Sequence, residues 1–376
     1  MRERVIVAMS GGVDSSVAAL RLVRAGYDVL GVTLHLWDYP DEVQDAKARC
    51  CAPEDQHDAR RVADALDFPH YVFDRRDLFR EQVVAPFVEA YLAGRTPSPC
   101  NDCNRTVKLT ELFHLADKLG ARFVATGHYA RILEDSRGSK RIARARDAQK
   151  DQSYFLHATP REQIDRLIFP LGESSKSEVR AEAVAARLVG ATKGESQELC
   201  FVGAGDGAYA AFVEREAEGR VRPGPIVDEQ GRVLAHHGGV HRFTIGQRRG
   251  LGIATGTPTF VARIDGDTGT VHVATGNRLD GRSAILEDVT LGEGVTLPIT
   301  RASVRVRYRH EGALAHVEPH PRGARVVFAE ATRALTPGQT AVIYEGDCVI
   351  AGGRIVDVPP TDASEQPAYE VIEAVP

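Results

Sequence analysis

Seven consecutive residues, Ser10-Gly11-Gly12-Val13-Asp14-Ser15-Ser16, join an apolar strand-like run at residues 4–9 to a helically spaced run ending at Gly26. Two glycines let the backbone turn sharply and bring its N–H groups close to an anion. Ser15 and Ser16 fall at the start of the following helix, where unpaired N–H groups and the helix dipole favour phosphate. The string lacks the Gly-Lys-Ser/Thr of a Walker loop and is not Gly-x-Gly-x-x-Gly. The plain alternative is a glycine turn with a serine cap. Asp14 carries hard oxygens suited to Mg2+. A second group is sulfur-based: Cys100-Asn101-Asp102-Cys103 follows a Pro-rich stretch, and Cys200 lies in Glu195-Ser196-Gln197-Glu198-Leu199-Cys200-Phe201. A helix expected from about Val107 puts Cys103 near its N-terminus, where a thiol has a lowered pKa. One thiol carrying sulfur and a second releasing it is a known form of nucleophilic catalysis. His128, directly after Gly127, is expected beside the substrate. Cys50 and Cys51 read as buried or loop thiols, Cys348 as a small core residue, and His236 and His237 as surface residues in a glycine-rich turn.

The elements that must position these groups alternate. Strand patterns at 4–9, 27–36, 70–73 and 122–126 are separated by helical patterns at 17–25, 55–66, 78–92 and 107–119. This order implies an α/β fold with a doubly wound parallel sheet, which binds ligands at the carboxyl ends of its strands. From Pro223 onward, runs of four to eight residues separated by turn pairs imply two small all-β modules, the last barrel-like. The expected domains are 1–205, nucleotide-binding and catalytic; 206–280, small and β-rich; and 281–376, a β-barrel-like module contacting the nucleic acid.

The chain has 376 residues, enough to bury several cores. No stretch is long and apolar enough to span a membrane. No export signal is visible, and six cysteines are too few for a disulfide scaffold, so a reducing cytoplasm is the expected location. The net charge is −5, which excludes a globally basic nucleic-acid binder but not a local basic patch. Arg305, Arg307 and Arg309 alternate as on one face of a strand and would suit a phosphate backbone.

The loop matches the SGGxDS signature of the PP-loop ATP pyrophosphatases, whose adenine nucleotide α-hydrolase-like domains split ATP between the α and β phosphates. Together with Thr126-Gly127-His128-Tyr129-Ala130-Arg131, Lys150-Asp151-Gln152-Ser153-Tyr154-Phe155-Leu156, Phe243–Gly252, Arg307-Tyr308-Arg309 and Thr336-Pro337-Gly338-Gln339, it makes the chain resemble the bacterial tRNA-specific 2-thiouridylase (MnmA/TrmU) family over nearly all of residues 4–355. That resemblance implies 2-thiouridine synthesis at the wobble uridine of the Lys, Glu and Gln tRNAs. ATP adenylates the C2 carbonyl oxygen, and sulfur then displaces AMP. It implies catalytic Cys103 and Cys200, with Cys200 accepting the persulfide. It places ATP on Ala8, Met9, Ser10, Gly11, Gly12, Val13, Asp14, Ser15, Leu34 and Gly127. It places tRNA on Ser98, Pro99, Cys100, His128, Lys150, Asp151, Gln152, Arg307, Tyr308 and Gln339. The partners implied are tRNA and a sulfur donor protein or sulfide source.

Many members read Asn-Pro-Asp where this chain has Ser98-Pro99-Cys100. Two expectations follow: Cys100 is a bystander or extra redox thiol, or Cys100, Cys103 and Cys200 ligate a [4Fe–4S] cluster with one iron open to sulfide. The competing function is another PP-loop ligase or thiolase, acting on a different RNA position or a small metabolite.

Overall fold

The computed structural model describes residues 2–38, 53–194, 199–203, 205 and 207–359. Cys50, Cys51 and the stretch Glu195–Glu198 lie outside the described residues. The chain divides into two compact units, Met1–Glu89 with Ser98–Arg220 and Asp347–Ile350, and Ala90–Pro97 with Val221–Gly346 and Ala351–Pro376.

The first unit opens with β1 (Arg4–Ala8), α1 (Val13–Arg24), β2 (Asp28–His35), α2 (Pro53–Ala65) and β3 (His70–Asp74). A long helical stretch follows: α3 (Arg76–Phe79), a π turn at Arg80–Val84, and α4 (Ala85–Leu92). Next come α5 (Pro99–Asp102), a second π turn at Cys103–Lys108, and α6 (Leu109–Lys118). Then follow β4 (Phe123–Ala125), the hairpin β5 (Arg131–Glu134) and β6 (Lys140–Ala143), α7 (Arg161–Ile164), β7 (Leu167–Ile168), α8 (Lys176–Ala185) and α9 (Ala208–Glu216). The sheet is parallel, in the order β3-β2-β1-β4-β7. Its strands are near-continuous apolar runs because helices cover both faces. Val5, Val7, Val17, Ala18, Ala125 and Val179 share one core, which is what fixes α1 and α8 beside the sheet.

The second unit contains two β modules. In the first, β8 (Gly224–Val227), β9 (Val233–His237), β10 (Thr259–Asp265) and β11 (Thr270–Thr275) form a sheet ordered β10-β11-β8-β9. Ile226, Phe243, Val261, Val271 and Val273 make its core. In the second, β12 (Asp280–Leu291), β13 (Ile299–Arg305), β14 (Ala313–His320), β15 (Gly323–Arg333), β16 (Thr340–Glu345) and β17 (Cys348–Asp357) run in the order β12-β15-β14-β13-β16-β17, and β17 pairs back to β12. The result is a closed barrel, which removes exposed sheet edges. Alternate residues such as Val304, Val317, Val326, Phe328 and Ile343 fill it.

Three local expectations change. Strand β13 ends at Arg305, so Arg305, Arg307 and Arg309 do not share one strand face. Arg305 is buried, and its guanidinium donates to the carbonyls of Tyr308 and His310 (2.7 Å to the latter), closing the turn that carries exposed Arg307 and Arg309. His237 is buried too: its Nδ1 accepts from Gly239 N (3.0 Å), which leaves Nε2 to donate to Gly269 O (3.1 Å). His236 is exposed, and Cys348 is buried, as expected.

Candidate active site

The order β3-β2-β1-β4-β7 reverses between β1 and β4, so the crevice outside those strand ends is the place where such sheets take ligands. Residues 9–12 and 126–129 line it. Met9 is buried and its N–H donates to Val32 O (2.8 Å), continuing the sheet by one residue. At Gly11 the chain turns with φ 72°, and a Cβ there would stand 2.2 Å from Asp55 O; only glycine fits. Gly12 caps α1, and its carbonyl accepts from Ser15 Oγ and Ser16 Oγ, both at 3.0 Å. Ser15 Oγ also accepts from Ser10 N (3.2 Å). The hydroxyls thus brace the loop from within and leave its shape set for an anion at the α1 N-terminus.

Gly127 closes the loop from the other strand. A Cβ on it would stand 2.9 Å from Ser15 N and 3.0 Å from Asp14 C, so the β4 end lies backbone against backbone on the first turn of α1. Ala8 ends β1, Val13 is the first, buried residue of α1, and Leu34 is buried near the end of β2. The expected ATP residues thus fall at the ends of β1, β2 and β4 and on the first turn of α1.

Asp14 is engaged. Its Oδ1 accepts from Tyr129 Oη (2.8 Å) and from Lys176 Nζ (2.8 Å), and its Oδ2 accepts from Lys176 Nζ at 2.7 Å. Lys176 and Tyr129 are functional candidates that residue spacing alone did not single out. The signal that could have found Lys176 is Ser175-x-x-Glu178, a capping box that sets the lysine at the first position of α8. Lys193 is a further one: its Nζ bridges Asp55 Oδ1 and Asp58 Oδ2, each at 2.7 Å. Burial opposes its charge, but the two carboxylates outweigh it and raise its pKa.

His128 is half-buried, with Nδ1 2.8 Å from Thr126 Oγ1 and its ring edge-on to Phe169. Desolvation, helped by the Lys108 charge, pushes its pKa down to about 3. It is neutral at pH 7 and can exchange hydrogen bonds there, but it is no cation for phosphate.

The thiol helix starts earlier than expected. α5 begins at Pro99, with Ser98 as N-cap, and runs through the π turn into α6. Cys103 is buried one turn inside, whereas half-buried Cys100 is in the first turn, where the dipole acts most strongly. The π turn begins at Cys103 itself; such turns are frequent at functional sites. α5 packs on the π turn Arg80–Val84. That same helical stretch holds Phe79 and Phe87, whose rings meet Phe201 edge-on at 5.5 and 5.1 Å. Phe201, the neighbour of Cys200, is thus anchored on the stretch that supports Cys103. None of Cys100, Cys103, Cys200 and Cys348 is in a disulfide. Among the described residues no three His, Cys, Asp or Glu side chains form a set able to hold a metal ion. Among the described residues Cys100, Cys103 and Cys200 are not brought together as a three-thiolate set.

The residues expected at tRNA divide by how much they present to solvent. Lys150 is half-buried, and its N–H donates to Asp147 O. Asp151 is buried and turned inward, accepting from Ala145 N and Ser153 N at 3.1 Å each. Gln152 Oε1 accepts from Tyr129 N (2.9 Å). Ser98 Oγ accepts from Asn101 Nδ2 (3.0 Å), and Pro99 is buried. In the second unit, Arg307 is exposed and reaches Arg333 O (3.3 Å), Tyr308 is half-buried, and Gln339 Nε2 donates to Thr96 O and Pro97 O. Among the described residues, no helix is long and apolar enough to cross a membrane.

Comparison with known proteins extends these observations. Family models match residues 3–204 ("tRNA methyl transferase HUP domain"), 210–275 ("tRNA methyl transferase PRC-barrel domain") and 295–355 ("Aminomethyltransferase beta-barrel domain"). The chain is 58% identical over 358 residues to the tRNA-specific 2-thiouridylase MnmA of Sorangium cellulosum, covering 94% of this chain and 92% of that one. It is 44% identical to the protein of the same name from Heliobacterium modesticaldum, covering 95% and 93%. Among solved structures, NMN synthetase from Francisella tularensis is similar at 16% identity and a TM-score of 0.35, over 58% of this chain and 77% of that one.

Proposed function

The chain belongs to the tRNA-specific 2-thiouridylase family, a family of tRNA sulfurtransferases, and from that premise we propose that it converts the wobble uridine of the Lys, Glu and Gln tRNAs to 2-thiouridine at the expense of ATP. The observation that carries the reading is the serine-braced loop at the β1/β4 reversal, with Gly127 pressed on the start of α1.

The uridine C2 oxygen attacks the α-phosphate of ATP, forming the O2-adenylated base and releasing pyrophosphate. The helix α1 N-terminus holds the phosphates, and its orphan N–H groups stabilise charge that builds on them. Cys200 then carries a sulfane sulfur as Cys200–S–SH. The terminal sulfur attacks C2, AMP departs with the C2 oxygen, and the Cys103 thiolate attacks the Cys200 sulfur and takes the S–S bond. The base is left as 2-thiouridine and the two thiols as a disulfide, which a cellular dithiol reduces. The sulfur arrives as a persulfide from a donor protein, a route that needs no metal cradle.

His128, neutral and beside Gly127, offers a hydrogen bond to the extruded base; unstacking a loop base costs a few kcal/mol. Arg307, Arg309 and Tyr308 on their turn meet the tRNA backbone and supply sequence-independent affinity. The deciding experiment combines ATP with unmodified and with 2-thiolated tRNA and follows pyrophosphate exchange. Exchange stimulated by the unmodified tRNA alone, with 2-thiouridine formed when a persulfide donor is added, supports the proposal. Exchange that ignores tRNA would overturn it.

A further inference from the structure

Cys200 stands at the corner of a tight turn. Val202 N donates to Leu199 O (3.2 Å), which closes four residues around the half-buried thiol. The two residues after it, Phe201 and Val202, are both buried. The turn is therefore held from its C-terminal side, and the larger of its two anchors is a ring.

That ring belongs to an aromatic cluster. Trp37, the chain's single tryptophan, meets Phe79, Phe201 and Phe212 at centroid distances of 6.4, 6.2 and 5.9 Å. Phe201 also meets Phe79 (5.5 Å), Phe87 (5.1 Å) and Phe212 (5.2 Å), each edge-on. Rings at these separations attract one another beyond their buried area and prefer particular angles, so Phe201 is oriented as well as buried. Arg80 adds a polar clamp: its guanidinium lies 5.0 Å from the Trp37 ring and donates to Glu216, the last residue of α9 (2.7 Å).

The same stretch of chain serves the other thiol. Phe79, Arg80 and Phe87 belong in turn to α3, the π turn Arg80–Val84 and α4, which run on without a break. Both α5 and the π turn that begins at Cys103 pack on Arg80–Val84. One helical stretch thus supports the Cys103 helix with one part and the ring beside Cys200 with another.

We infer that Phe201 is a positioning residue of the sulfur-transfer step: its ring, seated on Trp37, Phe79, Phe87 and Phe212, sets the Cys200 turn where Cys103 can take its sulfur. This deepens the two-thiol reading above and rests on it. A disulfide needs Cβ atoms roughly 3.5–4.5 Å apart and a narrow range of dihedral angle, so the Cys103 thiolate can take the Cys200 sulfur only when both backbones are held. An unanchored turn reaches that geometry rarely, whereas an anchored one raises the effective concentration of one thiol at the other.

The test is a thiol–disulfide equilibrium on the full chain, without ATP or tRNA. The Cys103 and Cys200 thiols react with oxidised glutathione to give the Cys103–Cys200 disulfide and two reduced glutathiones; the protein gives up two hydrogens and glutathione gains them. Peptide mass spectrometry identifies the bond across a series of glutathione ratios, which yields the effective concentration of the thiols. For Phe201→Ala we expect that concentration to fall about tenfold or more. Phe201→Leu, which keeps the apolar bulk, should return it to within about threefold of the wild type. Phe328→Leu, in the barrel core, should lower the melting midpoint and leave the thiol equilibrium unchanged.

The kinetic readout uses protein loaded with persulfide at Cys200. In a single turnover with ATP and unmodified tRNA, Phe201→Ala should form 2-thiouridine about tenfold or more slowly, while tRNA-stimulated pyrophosphate exchange stays within about twofold of the wild type. Circular dichroism and Trp37 emission check the fold of each variant. If Phe201→Ala does not fold, Phe212→Leu, which loosens the same ring from α9, replaces it and should change both readouts in the same direction. A folded variant with the wild-type thiol equilibrium and transfer rate would make Phe201 plain core and overturn the inference. A wild-type chain that forms no Cys103–Cys200 disulfide at any glutathione ratio would overturn the two-thiol reading together with it.

Discussion

Tyr129 and Gln152 hold each other in both directions: Gln152 N donates to Tyr129 O (2.8 Å), and Tyr129 N donates to Gln152 Oε1 (2.9 Å). The clasp joins the Thr126–Arg131 turn to the turn after Lys150, so one glutamine shapes the backbone that presents His128. Gln152→Leu would leave the Tyr129 N–H without its acceptor at a cost of about 1–3 kcal/mol. We expect a lower unfolding midpoint and weaker ATP binding, whereas Gln152→Glu, which keeps the acceptor, should stay near wild type. Thermal melts and nucleotide titration check both.

Gly127→Ala should be more severe at the site. The new methyl group meets Ser15 N at 2.9 Å and Asp14 C at 3.0 Å, and backbone cannot swing aside as a side chain can. The strand end must retreat from α1, and we expect ATP affinity to fall at least tenfold with about 1–3 kcal/mol of stability lost to overpacking. Retained ATP affinity in the folded variant would show that the β4 end does not shape the nucleotide site.

The two thiols should separate from the nucleotide. Cys200→Ser and Cys103→Ser are each expected to abolish 2-thiouridine formation, measured by nucleoside mass spectrometry, while ATP titration stays within twofold of wild type. Cys100→Ser should keep at least half of the rate with a persulfide donor and under iron chelation. Loss of activity on chelation alone would reinstate the cluster.

His128 and His157 give the fold a predictable acid limit. Desolvation is the main cause for both, pushing His128 down to about 3 and His157 down to about 4, the latter aided by Arg105 and opposed by the hydrogen bond the ring donates to the Tyr154 backbone carbonyl. The unfolded chain holds them near 6.5, so it binds more protons than the native state between those values, and stability falls as pH drops from about 6.5 toward 4. A melting series should show that decline. His157→Gln should flatten it, and an unchanged slope would remove His157 from its cause.

The legible part of the molecule was local. The glycine–serine string announced itself because its chemistry is consecutive in sequence, and the strand–helix alternation around it was clear because buried parallel strands are short apolar runs. Lys176 was hidden for the opposite reason: its partner, Asp14, is 162 residues away, and only the packing of α8 on α1 brings them together. A lysine after a capping serine is an electrostatic misfit in sequence, and such a misfit is the trace that a distant anion leaves. His237 read as surface because a glycine-rich turn is usually exposed, yet Gly269 O lies where its ring can reach it.

Arg305 and Arg307, two residues apart, should fail in different ways. Strand alternation would have made them equal partners of a phosphate backbone, but β13 stops at Arg305 and its guanidinium turns inward to the carbonyls of Tyr308 and His310. Removing it takes a donor from the Tyr308 and His310 carbonyls and frees the turn, so Arg305→Ala should lose about 1–3 kcal/mol of stability. Its tRNA affinity should fall only through that loosening. Arg307 is exposed and bonds one carbonyl at 3.3 Å, so Arg307→Ala should leave the melting midpoint unchanged. If its charge neutralises a phosphate, the slope of log affinity against log salt should shrink by about 1. Filter binding across a salt series, run beside thermal melts, separates the two. Equal salt slopes for wild type and Arg307→Ala would take this turn off the tRNA backbone.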